Sequence, residues 1–385
     1  MDKLLIIREY ERIFESGCPY FDELGKFVEA SEYLTLGWQR NRGAYVQAKN
    51  YVGVICLPSG FQIEILPKLD ASEENLRELV VKMLRSLKNF SGKKFLNADL
   101  DTARLPLYEI FIRVYLEMIL DLVKRGLKSS YIVHEENLNF FKGKLLVGRH
   151  VRKNFAHREK FFVAFDEYNI DRPEHRLIKS TLLKLLHTTR DQKNFRLANR
   201  LLTDFDSVEQ SFNYRKDFSE VTIDRQNHEY KAVMAWTKKF LAGESFTSFV
   251  GKMNVTALLF DMNKLFEAYV ANYVRKIFSN RFIVKIQARE KFLFDESREF
   301  VLKPDILLED KNSCEKIILD TKWKFEPSTG DMYQMFAYAK RYGAKKVFLL
   351  CPMTKTFQRC ISYRSTADNL SVTIFFVNLF KVKRA

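Results

Sequence analysis

KPDILLEDKNSCEKIILDTKWKF, residues 303–325, is the stretch on which the fold turns. Two apolar runs, Ile306–Leu308 and Ile317–Leu319, flank the polar segment Asp310–Glu315, which is the pattern of a β-hairpin. A turn centred between Asn312 and Ser313 sets Asp305 opposite Asp320, with Cβ atoms about 4.5–5.5 Å apart. Lys322 follows Asp320 by two residues and so projects from the same side of the strand. A one-residue slip would turn one strand's set away. Two carboxylates with nearby carbonyl oxygens suit a hard cation such as Mg²⁺, with Mn²⁺ as its substitute. Such an ion polarises a phosphodiester and lowers the pKa of a bound water. A lysine beside it, as a compact point charge, suits a phosphate oxygen. Metal-assisted phosphodiester hydrolysis is the chemistry these three residues fit. They fit equally a surface hairpin with a cross-strand ion pair worth about 0–1 kcal/mol. The apolar strands around them weigh against that, because half-buried charge normally needs a reason.

Outward from the hairpin, LLFDMNKLFEAYV has helical spacing, with Leu258, Leu259, Met262, Leu265, Phe266 and Tyr269 as a packing stripe. Glu267 sits at the border of that stripe, within reach of the metal side or as a solvated flank acid. In DMYQMFAYAKRYG, Gln334 and Tyr338 are four apart and share a helix face. Such a pair can hydrogen-bond a phosphate or a base, or can be the polar edge of an amphipathic helix. The runs FIVKIQA, KKVFLLCP and VTIFFVNL read as further strands. The order helix–strand–strand–strand–helix–strand predicts a mixed α/β unit over residues 251–385. Residues 1–70 read as a β-rich module and 71–250 as a mostly helical region. In the module, Trp38, Arg40 and Arg42 lie in a polar turn that is either an exposed hairpin end or a contact for a partner or DNA.

The chain has 385 residues, 46% of them hydrophobic, with 14 Gly and 8 Pro, so neither dominant disorder nor a collagen-like chain fits. A net charge of +16 points to a polyanionic partner. Lys142, Lys144, Arg149, Arg152 and Lys153 alternate with aromatics in NFFKGKLLVGRHVRKNF and suit DNA phosphates. They suit a solvated basic face equally well. The five cysteines form no CxxC pair and the six histidines no HxxxH or HExxH spacing, which disfavours a zinc site and fits a reducing cytoplasm. The charged N-terminus is unlike a secretory signal, and Ile110–Val123 is too short and too charged to span a membrane. No GxxxxGK[ST] occurs: Gly92-Lys93 and Gly251-Lys252 lack both the upstream glycine and the Ser/Thr. A nucleotide-driven step is therefore expected to need another subunit.

Pro304-Asp305, then Asp320-Thr321-Lys322, with Glu267 upstream and Gln334-x-x-x-Tyr338 downstream, resembles the PD-(D/E)xK nuclease superfamily. The flanking words FDMNKLFEAYV, ILDTKWK and DMYQMFAYA look like the McrC family, the endonuclease subunits of McrBC-type and LlaJI-type restriction systems. IEILPKL and NLNFFKGKL resemble that family's earlier parts, so the similarity covers most of the chain and is strongest over residues 255–342. It implies a catalytic core of Asp305, Asp320 and Lys322, Glu267 as an additional metal-side acid, and Gln334 and Tyr338 in support. Many superfamily members have Glu where this chain has Asp320. The resemblance further implies double-stranded DNA as substrate and an McrB-like AAA+ hexamer as partner, with GTP bound by that partner. Because one such site cuts one strand, a pair of nuclease domains is expected for a double-strand break. A stand-alone repair nuclease and a non-cleaving adaptor of a motor remain the alternatives.

Overall fold

Alternating apolar residues in the first seventy positions become strands, as their β-branched content predicts. The computed structural model describes residues 4–29, 31–87, 90, 105–156, 159–225, 227–242, 255–296, 298–367 and 369–380; Gly92-Lys93 and Gly251-Lys252 lie outside the described residues. The chain begins with β1 (Leu4–Arg8), β2 (Arg12–Phe14), α1 (Phe21–Glu29), β3 (Leu34–Gln39), β4 (Gly43–Ala48), β5 (Tyr51–Cys56) and β6 (Gln62–Leu66). Strands β2, β4 and β3 form one antiparallel sheet, and Trp38, near the end of β3, is exposed. Strand β6 lies between β1, its parallel neighbour, and β5, its antiparallel one. All five residues of β6 are buried, Glu64 among them. Its carboxylate accepts a two-pronged bond from Arg77 at 2.9 and 2.8 Å and another from the Leu107 N–H at 2.9 Å. A buried carboxylate persists when it is paired and fully hydrogen-bonded in this way. Arg77 belongs to α2 (Glu73–Ser86), which starts where the Ser72 side chain accepts from the Asn75 N–H.

Contacts divide the chain into two units, Met1–Ile110 with Glu244–Ala385, and Phe111–Gly243. The divisions drawn from sequence at 70 and 250 do not coincide with these breaks, the first of which falls within α3 (Leu107–Lys124). The second unit carries β7 (Ser130–Leu138), β8 (Lys144–Leu145), α4 (Val147–Lys153) and β9 (Phe161–Asn169), with the strands in the order β7-β9-β8. It continues through α5 (Pro173–Thr188), α6 (Gln192–Asp204), α7 (Tyr214–Glu220) and α8 (Tyr230–Ala242). His175 is buried there, bridging the Ile170 carbonyl at 2.6 Å and the Tyr230 hydroxyl at 2.7 Å, a structural histidine.

The chain then returns to the first unit as β10 (Thr256–Asp261), antiparallel to β5. Leu258 and Leu259, expected as the first turn of a helix, are strand residues instead. The run Thr256–Phe260 is buried throughout and completes the sheet β1-β6-β5-β10, so pairing with β5 wins over helical spacing. Gly53 makes the pairing fit: its φ is +136°, and a Cβ there would stand 1.9 Å from the Leu258 carbonyl oxygen. Helix α9 (Met262–Phe278) starts only after Asp261, whose carboxylate accepts from the Asn263 N–H at 2.8 Å and from Asn50 Nδ2 at 3.0 Å.

The remainder supplies β11 (Phe282–Ile286), β12 (Lys291–Phe292), β13 (Val301–Leu302), β14 (Ile306–Asp310), β15 (Lys316–Thr321), α10 (Thr329–Tyr342), β16 (Lys346–Pro352), β17 (Ile361–Ser365) and β18 (Leu370–Val377). Six of these strands form a mixed sheet, β11-β14-β15-β16-β18-β17, parallel across β15-β16-β18 and antiparallel at both flanks. The mixed α/β class expected from element order is the one observed; the edge strand β17 and the ribbon β12–β13 have no counterpart in that expectation. Helix α10 opens with a reciprocal cap between Ser328 and Asp331 and closes at Gly343, φ +68°. Its Met335, Tyr338, Ala339 and Tyr342 pack with Leu307, Ile318, Val347 and Leu349 of the sheet. Substituting Gly53→Ala should cost about 1–3 kcal/mol, since a methyl must displace backbone of the partner strand; urea unfolding measures it, and an unchanged midpoint would show that β5 and β10 can separate freely.

Candidate active site

The hairpin pairs as the sequence reading requires. Ile306 faces Leu319, Leu307 faces Ile318 and Glu309 faces Lys316. Leu307 and Ile318 pack with α10, and the strand alternation gives Asp320 the same side as Ile318. Asp305 stands one residue before β14, outside the ladder, and its carboxylate is free of strict alternation. Oδ2 accepts from both the N–H and the Oγ1 hydroxyl of Thr321, at 2.7 and 2.6 Å. The Asp305 carbonyl accepts from the Gln287 N–H at 2.8 Å. Thus the residue is held at both ends by the neighbouring strands.

Asp320 is 2% exposed. Burial pushes its carboxyl up to about 6, the Asp305 charge pushes the same way, and the Lys322 ammonium opposes both. Lys322 Nζ lies 2.8 Å from Oδ2. That ammonium is the charged partner of this buried oxygen. Lys322 itself is half-buried. Burial would depress its pKa, but the Asp320 carboxylate outweighs that and holds the ammonium above its ordinary value. Its backbone N–H donates to the Leu350 carbonyl at 2.9 Å, so β16 fixes the chain at this point.

Glu267, on α9, is half-buried. Burial and the Asp305 charge raise its pKa, while a 2.5 Å hydrogen bond from Gln287 Nε2 lowers it. Gln334 Nε2 donates to the Tyr338 hydroxyl at 2.8 Å, and that hydroxyl donates to the Lys303 carbonyl at 3.1 Å. Burial pushes Tyr338 up to about 12, so the phenol keeps its proton. The Gln334–Tyr338 pair therefore grips the approach to Asp305. Gln287 and Thr321 are site residues that sequence reasoning misses. Gln287 adopts φ +52°, and nothing in FIVKIQARE announces that. Thr321 lies between two site residues, where strand alternation alone would turn it away from them.

Among the described residues no three His, Cys, Asp or Glu side chains converge closely enough to cage an ion by themselves. The donor set that fits a divalent cation is narrower: Asp305 and Asp320, close enough to feel each other's charge, with the Lys322 ammonium beside Asp320. Glu267 adds negative charge beside Asp305 but is engaged with Gln287.

The five cations singled out as DNA contacts all lie in the second unit. Lys142 Nζ stands 3.8 Å over the Phe165 ring and Lys153 Nζ 5.1 Å over Phe162, and Arg149 pairs with Glu135. Lys144, Arg149 and Arg152 line a cavity of about 640 Å³ with Glu135 and Leu146. Arg149, Arg152 and Lys153 lie on the short helix α4.

The family model for the McrBC 5-methylcytosine restriction system component matches residues 46–352. The chain belongs to this family. No curated protein matches it. Among solved structures, a refined half-complex from the tetradecameric assembly of Thermococcus gammatolerans McrB AAA+ hexamers with bound McrC is similar at 20% identity. That match covers 99% of this chain and 96% of the other, with a TM-score of 0.73. A cryo-EM structure of the Thermococcus gammatolerans McrBC complex is similar over 70% of this chain and 87% of the other, at 20% identity and a TM-score of 0.54. The first match extends the fold resemblance over nearly the full chain, including the N-terminal part where sequence similarity is weak. For this McrBC-family chain, Thr321→Val should lower unfolding free energy by about 1–3 kcal/mol, because a charged acceptor loses a short hydrogen bond; denaturant titration against the parent chain measures it, and no change would show that Asp305 Oδ2 is satisfied by the Thr321 N–H alone.

Proposed function

We propose that this restriction-system component is the Mg²⁺-dependent endonuclease subunit, cutting phosphodiester bonds of double-stranded DNA. The observation that carries this is the convergence of Asp305, Asp320 and Lys322 at one end of the β14–β15 hairpin, with Asp320 buried and its carboxyl raised beside the Asp305 charge. Asp305 and Asp320 would hold the ion, with Glu267 as a third acid beside them. When bound, Mg²⁺ (or Mn²⁺) supplies the positive charge that a phosphodiester needs before a nucleophile can approach. The chain's own residues do the rest. Lys322, kept charged by Asp320, offers its ammonium to a phosphate oxygen. Thr321 orients the Asp305 carboxylate, and Gln334 and Tyr338 brace the Lys303 backbone that leads into it.

The partner is an AAA+ GTPase hexamer of the McrB type. The support is family membership, the likeness to an McrC-containing assembly with McrB AAA+ hexamers, and the lack of any P-loop in this sequence. Lys142, Lys144, Arg149, Arg152 and Lys153 are proposed to contact DNA phosphates, and two nuclease domains to act together on the two strands. No helix among the described residues is long and apolar enough to cross a membrane.

In the complex with its motor, Asp305→Ala, Asp320→Ala or Lys322→Ala should each lower cleavage by about a thousandfold or more, the loss expected when several kcal/mol of transition-state stabilisation disappears. Stimulation of the partner's GTP hydrolysis should persist. If the parent chain stimulates GTP hydrolysis yet never cuts DNA with Mg²⁺ present, the non-cleaving adaptor is the correct reading. A second expectation concerns pH. A proton on Asp320 competes with the cation, and its carboxyl is raised to about 6. Mn²⁺ affinity measured by calorimetry should therefore be level above that pH and weaken by up to about tenfold per unit below it; affinity independent of pH between 5 and 7 would remove Asp320 from the ion's ligands.

A further inference from the structure

Trp323 follows Lys322 directly and is 4% exposed. Its ring packs against Phe266 with centroids 5.3 Å apart, and Phe266 is the neighbour of Glu267 on α9. One indole therefore touches the helix that carries Glu267 and lies two residues past the strand that carries Asp320, next to Lys322. Its polar atoms are held by residues from the start of the chain. Glu9 follows β1, and its N–H donates to the Leu66 carbonyl at 3.0 Å. Trp323 Nε1 donates to both Glu9 oxygens, at 3.0 and 3.2 Å. Glu9 Oε2 also accepts from the Lys68 N–H at 3.1 Å, and Lys68 Nζ donates to the Trp323 carbonyl at 3.4 Å. The carboxylate and the lysine are thus a two-pronged clamp on one residue.

A buried indole N–H needs an acceptor, but a neutral one suffices. A carboxylate that is itself 4% exposed costs desolvation that a carbonyl would not. We propose that Glu9 is a positioning residue of the nuclease centre, setting the place of Trp323 and through it the spacing between Lys322 and the Glu267 helix. This rests on the nuclease reading of Asp305, Asp320 and Lys322. It gives the N-terminal sheet a direct hold on the chemistry 314 residues away in sequence.

The groups around Glu9 make the clamp sensitive to protonation. Burial raises the Glu9 carboxyl to about 7, the Trp323 and Lys68 hydrogen bonds and the Lys68 charge oppose that, and the Asp261 charge adds to it. Tyr10 lies beside it and is itself raised by burial and by the Glu9 charge. A carboxyl raised in the folded chain is protonated there while the unfolded chain has already ionised. Its contribution to stability is therefore full below the unfolded value near 4.5 and is lost as pH rises to about 7. The charge-assisted grip on the indole follows the opposite course and strengthens through the same upper limit.

The test uses the full chain, alone and with its motor. The chain has three tryptophans, so ¹⁵N-indole labelling gives three N–H resonances, with that of Trp323 assigned by its loss in Trp323→Phe. In the parent chain this resonance should titrate with a midpoint of about 7, and in Glu9→Gln it should not move. In the complex, Glu9→Ala should lower the cleavage rate by about tenfold to a hundredfold, the loss that ångström-scale misplacement brings. DNA affinity and GTPase stimulation should stay near parent values, and Glu9→Gln, which keeps one acceptor oxygen, should recover most of the rate. A Trp323 resonance indifferent to pH, or a folded Glu9→Ala chain that cuts at the parent rate, overturns the proposal. A parent chain that never cuts while its indole still titrates defeats the nuclease reading and leaves the clamp as a structural contact only.

Discussion

In the ladder of β14 and β15, Ile306 meets Leu319, and that pairing leaves little freedom to the residues just beyond it. The next position outward puts Asp305 beside Asp320 and Thr321. With a one-residue slip the two carboxylates would lie on opposite sides of the sheet. The register in turn is set by what must be buried: Leu307 and Ile318 fill the space under Met335 and Tyr338. The hydrophobic sheet face thereby specifies the polar end of the hairpin.

Charge at that end is held out of balance. Asp320 is buried and has the Asp305 charge for a neighbour, and although Lys322 and the Asp305 N–H oppose this, its carboxyl rises to about 6. Two acids and one base in partial burial favour either a proton or a cation between the acids. Tyr338 and Gln334 spend their polarity on the Lys303 backbone, stiffening the approach without adding charge. On the nuclease reading, this imbalance is what the proposed ion and phosphate would relieve.

The site is also held from outside its own sheet. Strand β10 extends the N-terminal sheet and hands over to α9 at Asp261, which Asn50 pins in place. Glu9 and Lys68 hold Trp323 just past β15. Residues 4–68 are thus part of the support of a site whose acids lie beyond residue 260. Domain boundaries drawn along the chain miss this, because strand pairing has no respect for sequence distance.

Much of the centre was legible in the sequence because its determinants are local. Short apolar runs located β14 and β15, the polar run Asp310–Glu315 located the turn, and a turn centred between Asn312 and Ser313 gave the register that sets Asp305 beside Asp320. Four-residue spacing likewise joined Gln334 to Tyr338. What only the tertiary structure decided are the contacts with no local signature. Leu258 and Leu259 became strand because β5 offered an open edge, Asp305 turned to Thr321 because it lies just outside the ladder, and Gln287 reached Glu267 through a left-handed backbone. Local propensity is written in neighbouring residues, whereas burial and pairing energies depend on which distant segment arrives.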